Sequence, residues 1–542
     1  MRSFCIFTRL LLITSLLTAC AQLPSADPHA PTPARYYQVK IPAADGTLLT
    51  ATVYQPALPP GASAPLIVHT HAYAGWRMTS PDGFYSRVMI SGQAALAAWH
   101  AGYWVISYDQ RGWGQSGGQV MLMDPDYEVK DVSRVIDWAL AHLPALQGGV
   151  QHPRIGMIGE SYGGAVQLLA SARDRRISAI VPIATWYDLS HDLAPEGIVK
   201  TTWLGVLGVT GELMSHGDAG ILLHPPYLGM IGGHLSSAAS AALYRRSPAR
   251  DCLQGHPPQA DALLIQGLRD SLFPLDDAMA MRECILNAHH DAQLIALQGG
   301  HMLFWPLQVH SGMPLFHTDK KIACLHPARD LSASILAWWD HKLRDRPDTL
   351  KLPPLCINLG GGQGLALSGP PRPSPYIELP HGSLRPLLSG RFDGLSQSML
   401  DLSDALRPAA PPLQAATGGL GRALFLPLPP VAQNSALLGS AGIDIELTSD
   451  HADLDTPVFV ALGRRRHGHR SYRVLSDQWT PLPGLGHWQL QLPSVSAVLQ
   501  AGDQLGLVVR GFSGQYLGQG AWTLSSVDLV ARLALPQPFP YP

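Results

Sequence analysis

Residues 159–163 of this chain, which read GESYG, restrict its fold more than any other segment. They directly follow a short apolar run at residues 154–158, and a helix-like stretch begins at residue 163. A G-x-S-x-G sequence between a strand and a helix predicts a sharp turn, in which the glycines allow close backbone approach and the serine is held in a strained conformation. The pattern therefore predicts a nucleophilic Ser161 at the end of a strand, beside the positive end of a helix dipole.

The chain around this turn alternates between short apolar runs and helix-like stretches. Residues 36–55 predict a hairpin, because two alternating segments flank Asp45-Gly46, a dipeptide that favours a tight turn. Helix-like stretches occupy residues 85–100 and 128–142. The later apolar runs lie at residues 66–71, 103–109, 154–159, 177–184, 262–267 and 294–298. Runs that are apolar on both faces and separated by helices predict a mostly parallel sheet covered on both sides, which binds ligands beyond the carboxyl ends of its strands.

A serine hydroxyl needs a base and an orienting acid to act as a nucleophile, and in this type of fold both follow the serine in the chain. Asp270 comes directly after a predicted strand, and His301 lies in the loop after the next one. We therefore predict that His301 accepts the proton of Ser161 and that Asp270 orients the imidazole. Asp276 and Asp277 are rival acids, although their position predicts the first turn of a helix.

An oxyanion formed at this serine requires two hydrogen-bond donors. The backbone N–H of Tyr162, the residue after the nucleophile, is predicted to be one of them. The second is expected from residues 71–76, which read HAYAGW and follow the predicted strand at residues 66–71.

The chain resembles the cocaine esterase and X-Pro dipeptidyl-peptidase group of α/β-hydrolases, the peptidase S15-like (CocE/NonD) family. The resemblance rests on the GESYGG sequence at residues 159–164, on DQRGWGQSGG at residues 109–118, on the loops of Asp270 and His301, and on a β-rich tail. It implies an α/β-hydrolase fold with a helical cap, followed by a C-terminal β-sandwich of jelly-roll type. It also implies that the Tyr73 hydroxyl is the second oxyanion donor; the alternative is that Tyr73 is a packing aromatic at the rim of a cleft.

We expect a catalytic domain at residues 36–350, a cap at about residues 188–247 and a sandwich at residues 351–542. A helical pattern at residues 328–344 closes the first domain, and Pro353-Pro354 marks the boundary. The apolar character of the cap predicts a pocket for an apolar acyl or aromatic group. Four cap carboxylates could recognise a free α-amino group or could be solvated: Asp192, Glu196, Glu212 and Asp218.

The N-terminal residues predict a targeting signal rather than a part of the fold. Residues 1–19 carry arginines and a short apolar core, as a signal peptide does, and LTAC at residues 17–20 resembles a bacterial lipobox. We therefore expect a lipid on Cys20, a tether at residues 20–35, and a protein held at a membrane of the bacterial cell envelope by that lipid. The alternative is an ordinary signal with a chance cysteine.

Composition removes several classes of protein. A formal net charge of −2, with 46% hydrophobic and 14% charged residues, disfavours disorder and a nucleic-acid-binding partner. No CxxC or His/Cys spacing suggests a metal, so we expect neither a metal nor a cofactor. Four later cysteines allow three disulfide pairings, among which the sequence does not choose: Cys252, Cys284, Cys324 and Cys356.

These features predict a serine hydrolase that cleaves esters or amides of small acyl substrates through an acyl-enzyme. An X-Pro dipeptidyl-peptidase or aminopeptidase is the alternative, with a peptide as the substrate. A further alternative from another class is a non-catalytic lipoprotein that binds glycan.

Overall fold

The computed structural model describes residues 33–215, 230, 233, 235–301, 321–360, 362–385, 423–450, 457–469, 472–520 and 525–541. The predicted signal peptide at residues 1–19, the lipidation site Cys20, most of the tether and the cap residue Asp218 lie outside these ranges.

The described part of the chain up to residue 367 alternates strands and helices, as predicted. Its strands are β1 (Arg35–Pro42), β2 (Leu48–Gln55), β3 (Leu66–Thr70), β4 (Trp104–Tyr108), β5 (Ile155–Glu160), β6 (Ile177–Ile183), β7 (Asp261–Gly267), β8 (Ala292–Leu297), β9 (Lys321–Ile322), β10 (Arg329–Asp330), β11 (Leu355–Gly360) and β12 (Gln363–Leu367). Its helices are α1 (Phe84–Val88), α2 (Ile90–His100), α3 (Glu128–His142), α4 (Tyr162–Ser171), α5 (Leu189–Leu193), α6 (Thr201–Met214), α7 (Ser237–Tyr244), α8 (Pro248–Leu253), α9 (Leu275–Asn287) and α10 (Leu331–Arg344), with a 3₁₀ turn at Pro195–Gly197.

Ten of these strands form one sheet, in the order β1-β2-β4-β3-β5-β6-β7-β8-β11-β12. β3 to β8 and β11 form a parallel core, and the antiparallel pairs of β4 with β2 and of β11 with β12 flank it. The predicted hairpin is present, with β1 and β2 antiparallel and the Thr47 N–H bonded to the Asp45 carboxylate at 3.0 Å. The side chains of β3, β4 and β5 are buried throughout, which explains their uninterrupted apolar runs. Helices cover both faces, and the carboxyl ends of the parallel strands lie at one edge, as in an α/β-hydrolase.

The boundary predicted after residue 350 falls inside this sheet and is therefore wrong. After α10 the chain returns to the sheet, and Leu355 to Ile357 of β11 pair parallel with Leu294 to Ala296 of β8. β12 then pairs antiparallel with β11. Pro353-Pro354 marks a loop before one more apolar strand, not the end of the domain, because pairing with β11 covers the edge of β8 that would otherwise be open.

The predicted cap lies between β6 and β7 and is helical. Helices α5 to α8 occupy the described part of residues 188–253, so the cap continues slightly beyond the predicted limit of about 247. Asp188 caps the start of α5, because its carboxylate accepts the N–H groups of Ser190 and His191.

The remaining described residues form two antiparallel sheets. Their strands are β13 (Ile377–Glu378), β14 (Gly382–Leu384), β15 (Leu424–Pro427), β16 (Ser435–Thr448), β17 (Val458–Arg465), β18 (Tyr472–Val474), β19 (Thr480–Leu482), β20 (Gly486–Leu499), β21 (Gln504–Arg510), β22 (Val527–Ala534) and β23 (Phe539–Pro540), with a 3₁₀ turn at Gly514–Tyr516. One sheet has the order β13-β22-β16-β20, and the other has the order β15-β21-β17-β18. Buried side chains from both sheets, such as Ile443 and Val460, form one apolar core, so this part is the predicted β-sandwich.

Two disulfides select one of the three pairings that the sequence leaves open. Cys252 of α8 is joined to Cys284 of α9, and Cys324 is joined to Cys356 of β11. Among the described residues, no helix combines the length and the hydropathy that crossing a membrane requires.

Candidate active site

Ser161 lies in a sharp turn between β5 and α4. Its backbone is in a sparsely populated conformation, with φ 52° and ψ −111°. A Cβ atom at Gly159 would lie 2.3 Å from the carbonyl oxygen of Thr70, and one at Gly163 would lie 2.5 Å from the same atom. The two glycines of the motif are therefore required by the close approach of β3, as the sequence predicts.

The structure brings together the three residues predicted as nucleophile, base and acid. His301 Nε2 lies 3.0 Å from Ser161 Oγ, and His301 Nδ1 lies 2.9 Å from Asp270 Oδ2. With a proton on Nδ1, the imidazole donates to the carboxylate and presents Nε2 as an acceptor to the serine hydroxyl. This geometry can transfer a proton from the serine as it attacks a carbonyl carbon.

Asp270 is fully buried, and its carboxylate accepts hydrogen bonds from the end of β7 and from the loop that follows it. Oδ1 accepts the N–H groups of Leu272 at 3.0 Å and Phe273 at 2.9 Å, while Oδ2 also accepts Gln266 Nε2 at 3.0 Å. These donors stabilise the ionised carboxylate. These donors all lie within five residues of Asp270, at the end of β7 and in the loop that follows it.

The rival acids do not take this place. Asp276 and Asp277 lie in the first turn of α9, as their position predicts. The Asp276 carboxylate accepts the N–H and hydroxyl of Ser494, both at 2.6 Å. Asp277 faces Asp192 and is described below.

Two aromatic rings stand edge-on to the imidazole of His301. The Phe273 ring centre is 5.0 Å away and the Trp203 ring centre is 5.6 Å away. Trp203 belongs to α6 of the cap, and its indole N–H donates to the Ser271 hydroxyl at 3.1 Å. The cap thus reaches the base directly and places apolar surface beside it.

The amide of Tyr162 is available at the start of α4. As the first residue of the helix, it has no carbonyl one turn earlier with which to bond. The side chain of Tyr162 is buried and its hydroxyl donates to Glu128 Oε1 at 3.0 Å. Only the backbone of Tyr162 is therefore suited to stabilise an oxyanion at Ser161.

The hydroxyl of Tyr73 is buried and has no hydrogen-bond partner among the described residues. Its ring packs against Trp113 at 4.8 Å and against Tyr162 at 5.7 Å, and its hydroxyl faces Gly211 of α6. Burial, with a smaller contribution from the charge of Glu212, raises the pKa of Tyr73 well above its usual range, so the group keeps its proton. Both interpretations of Tyr73 are thus supported: its ring packs among aromatic side chains, and its hydroxyl is a hydrogen-bond donor without a partner among the described residues.

A buried network behind the turn was not predicted from the sequence. Glu160, next to Ser161, accepts the N–H of Ser91 at 2.6 Å and also bonds the Ser91 hydroxyl. Tyr85 donates to Glu160 at 3.4 Å and accepts the Ala72 N–H at 2.7 Å. Burial raises the pKa of Glu160 to about 7. A charged residue inside the apolar β5 run was the only signal of this network.

Residues 109–118, on which part of the family resemblance rests, have a structural role. Asp109 pairs with Arg77, and Arg111 pairs with Asp131 at 2.7 Å and Asp45 at 2.8 Å. A Cβ atom at Gly114 would lie within 2.4 Å of the Asp109 carboxyl group. These buried pairs fix the segment under the hairpin β1–β2.

The cap carboxylates have different environments. Asp192 is buried against Asp277 and near Lys200, and burial raises the pKa values of both carboxyl groups, that of Asp192 to about 8. Glu196 and Glu212 are exposed. Among the described residues, no group of three or more His, Cys, Asp or Glu side chains is arranged to hold a metal ion.

The fold and this site define the class of the protein as an α/β-hydrolase with a C-terminal β-sandwich. Its sequence matches the family profile described as X-Pro dipeptidyl-peptidase (S15 family) over residues 45–218. This match confirms the predicted resemblance to the S15-like family and supports a hydrolase.

Sequence relatives match only part of the chain. An uncharacterized 31.7 kDa protein of Escherichia coli is 32% identical over 117 residues, which is 22% of this chain and 36% of that protein. An uncharacterized protein of Pseudomonas aeruginosa is 30% identical over 147 residues, which is 27% of this chain and 35% of that protein. The chain thus matches about a third of the length of each relative.

Solved structures match nearly the whole chain at low identity. An aminopeptidase from a marine sediment Thaumarchaeota archaeon has a TM-score of 0.61 at 14% identity and covers 96% of this chain and 99% of its own. An α-amino acid ester hydrolase has a TM-score of 0.60 at 14% identity, with the same coverage. A CocE/NonD family hydrolase from Staphylococcus aureus has a TM-score of 0.60 at 11% identity and covers 93% of this chain and 94% of its own. These similarities concern the fold, which they confirm over both halves of the chain.

Proposed function

We propose that the protein is a serine hydrolase that cleaves small acyl esters, and more slowly amides, through an acyl-enzyme. One observation carries the proposal: a continuous hydrogen-bond chain joins Ser161 Oγ, the imidazole of His301 and the buried carboxylate of Asp270. This arrangement is costly to maintain without use, because it holds the serine backbone under strain and buries a carboxylate.

In the first step Ser161 Oγ attacks the carbonyl carbon while its proton passes to His301 Nε2. The imidazolium then gives this proton to the leaving alcohol or amine, which departs and leaves an acyl ester on Ser161. Water attacks that ester in the second step, with His301 again accepting and returning the proton. Asp270 stays ionised throughout and stabilises the imidazolium through Nδ1.

The developing oxyanion is stabilised by the Tyr162 N–H and by the Tyr73 hydroxyl. The free Tyr73 hydroxyl supports its part of this proposal, because a buried donor without a partner gains a full hydrogen bond only when the oxyanion forms. The tilted rings of Trp113 and Tyr162 support Tyr73 from the side, so that little reorganisation accompanies the step.

An apolar ester is the substrate class that the surroundings favour. Trp203 and Phe273 place aromatic surface beside His301, where the leaving group departs. The sequence offers Asp192 as a partner for an α-amino group, but burial raises its pKa to about 8 and so disfavours the charged form that would bind an ammonium group.

An X-Pro dipeptidyl-peptidase or aminopeptidase is the second candidate, favoured by the match to the S15 family over residues 45–218. Such an enzyme needs a carboxylate for the free amino group of the substrate. Glu212 is suited to this role, because it is exposed on α6 and its charge acts on Tyr73.

The test is kcat/KM of the purified chain that starts at residue 20, with Cys20→Ser, on p-nitrophenyl butyrate and on Gly-Pro-p-nitroanilide. Ser161→Ala and Glu212→Gln are measured beside it. Ester turnover that disappears in Ser161→Ala supports the esterase. Release from the Gly-Pro substrate that Glu212→Gln weakens, with ester turnover unchanged, supports the peptidase. If neither substrate reacts and a fluorophosphonate does not label Ser161, the catalytic proposal is wrong and the glycan-binding alternative returns.

We also propose that the protein is anchored to a bacterial envelope membrane by a lipid on Cys20. The lipobox-like sequence LTAC at residues 17–20 motivates this proposal, and the two disulfides support an oxidising compartment. Expression of the natural chain and of Cys20→Ala in a bacterium, followed by detergent partitioning, tests it. A natural chain that stays in the aqueous phase would contradict the anchor.

A further inference from the structure

The β-sandwich contacts the loop that carries the catalytic acid. We call residues 269–273 the acid loop. Arg269 Nε lies 2.6 Å from the carboxylate of Asp477, and Gln478 Nε2 donates to the backbone carbonyl of Asp270 at 2.8 Å. Both partners lie in the turn between β18 and β19 of the sandwich. The Arg269 side chain and the Asp270 backbone carbonyl are therefore both bonded to the sandwich.

The turn at residues 476–478 is held in an unusual conformation. Ser476 and Asp477 have φ values of 52° and 53°, and two successive non-glycine residues rarely adopt this region. The Asp477 carbonyl accepts Gln515 Nε2 at 2.6 Å, and the Ser476 hydroxyl accepts the Ser496 N–H at 3.0 Å. All three residues of the turn are buried. The sandwich thus stabilises a strained turn, from which the side chains of Asp477 and Gln478 both contact the acid loop.

The cap holds the other end of the acid loop. Lys200 Nζ donates to the carbonyl of Ser271 at 2.8 Å and to that of Leu272 at 3.2 Å. The same cap segment is bonded to the sandwich, because Thr201 Oγ1 donates to the Leu517 carbonyl at 2.6 Å. The acid loop is therefore fixed between the cap and the sandwich.

We propose that Gln478, supported by Asp477, is a positioning residue for Asp270, so that the sandwich completes the catalytic machinery. This inference rests on the proposed function. The bond from Gln478 fixes the carbonyl of Asp270 and, through the short loop, the direction of its carboxylate toward His301. Without it, the carbonyl is buried without its donor and the loop shifts to find another. A displacement of about 1 Å in catalytic geometry reduces turnover by up to about a hundredfold.

Gln478→Met in the full chain removes the donor and keeps the length of the side chain. We expect kcat on p-nitrophenyl butyrate to fall by about tenfold or more, with KM changed by less than about twofold, because orientation and not binding is affected. Gln504→Met is the matched control: Gln504 also donates to a backbone carbonyl, that of Leu428, but within the sandwich. The control should keep kcat at the level of the natural protein.

A double-mutant cycle separates positioning from a structural effect. The measured rate is that of fluorophosphonate labelling of Ser161, followed by mass spectrometry. Gln478→Met should slow labelling in the natural protein but change it by less than about twofold in an Asp270→Asn background, because its effect passes through that carboxylate. Equal effects in both backgrounds would overturn the proposal.

The outcomes distinguish this inference from the proposed function. If the natural protein shows no Ser161-dependent turnover or labelling, the proposed function fails. If the natural protein is active and Gln478→Met has the same kcat, only the positioning role fails. Should Gln478→Met not fold, Asp477→Asn replaces it, because the amide keeps the size of the side chain and removes the charge that holds Arg269; an unchanged kcat in that variant also overturns the proposal.

Discussion

At the level of single residues, the turn at Ser161 depends on two glycines, which have no side chain. Gly159 and Gly163 both lie against the Thr70 carbonyl, where any Cβ atom would overlap it. Ser161 itself keeps a positive φ because it joins the end of β5 directly to the start of α4. The conformation of Ser161 therefore depends on the packing of β3 against β5.

Gly163→Ala should destabilise the protein by about 1–3 kcal/mol and lower kcat, because the backbone of β3 must move to admit the methyl group. Urea unfolding and ester turnover measure the two effects. Gly208→Ala is the control: this glycine lies in α6 with open space around it, so alanine should be neutral or stabilise by up to about 1 kcal/mol. Equal stability of the two variants would mean that the close approach at Gly163 is not required.

Tyr73→Phe separates the two readings of Tyr73. If its hydroxyl stabilises the oxyanion, kcat falls by about 10²–10³ while the free energy of unfolding stays the same or rises, because the lost hydroxyl has no hydrogen-bond partner in the described part of the chain. Steady-state kinetics and thermal unfolding provide the readouts. An unchanged kcat would leave Tyr73 as a packing aromatic only.

The meeting of Ser161, His301 and Asp270 could be predicted because each residue has a local signal. Ser161 lies in a motif, and Asp270 and His301 follow apolar strands in the expected order. Glu160 and Gln478 could not be predicted in their roles, because each acts on a residue far away in sequence: Glu160 on Ser91, and Gln478 on Asp270. Such contacts follow from tertiary packing and have no pattern along the chain.

At the level of elements, one predicted helix is divided by the network behind the nucleophile. Residues 85–100 have a helical pattern, but Met89 is extended, with φ −75° and ψ 142°, and separates α1 from α2. The Ser91 N–H at the start of α2 is free of the helix and bonds Glu160 instead. By contrast, α3 matches its predicted bounds of 128–142, because its apolar spacing is uninterrupted and its termini are polar.

The raised pKa of Glu160 predicts a pH dependence of stability. Burial raises this pKa from an ordinary value of 4.5 to about 7. Between these values the folded state keeps a proton that the unfolded chain releases, so the free energy of unfolding falls as the pH rises through the window and stays lower above it. Glu160→Gln has no such proton, and its free energy of unfolding should fall less over this window, with a difference of at most about 3 kcal/mol.

Urea unfolding at pH 5, 6, 7 and 8 measures this effect. Glu283→Gln, at an exposed position of α9, is the control and should follow the natural protein. If Glu160→Gln and the natural protein show parallel curves, Glu160 does not titrate in this window.

At the level of the whole molecule, two covalent links cross the catalytic domain. Cys252–Cys284 ties the end of the cap to α9, and Cys324–Cys356 ties the segment after His301 to β11. Each link joins residues 32 positions apart, so each removes considerable freedom from the unfolded chain.

Replacing Cys252 and Cys284 by serine should lower the free energy of unfolding by about 2–4 kcal/mol. Urea unfolding measures the loss, and peptide mapping without reductant identifies the pairs. A peptide that joins Cys252 to Cys324 or to Cys356 would contradict the assigned pairing, and an unchanged unfolding midpoint would show that this link is absent or without effect.

The hairpin β11–β12 determines where the chain can be truncated. A fragment that ends at residue 350 contains Ser161, Asp270 and His301, yet it leaves β8 as an unpaired edge strand along which copies can aggregate. A fragment that ends after residue 367 keeps β11 paired with β8 but leaves Arg269 without Asp477. Chimeras that exchange C-terminal halves between relatives therefore need a junction beyond residue 367 and a matched pair at positions 269 and 477.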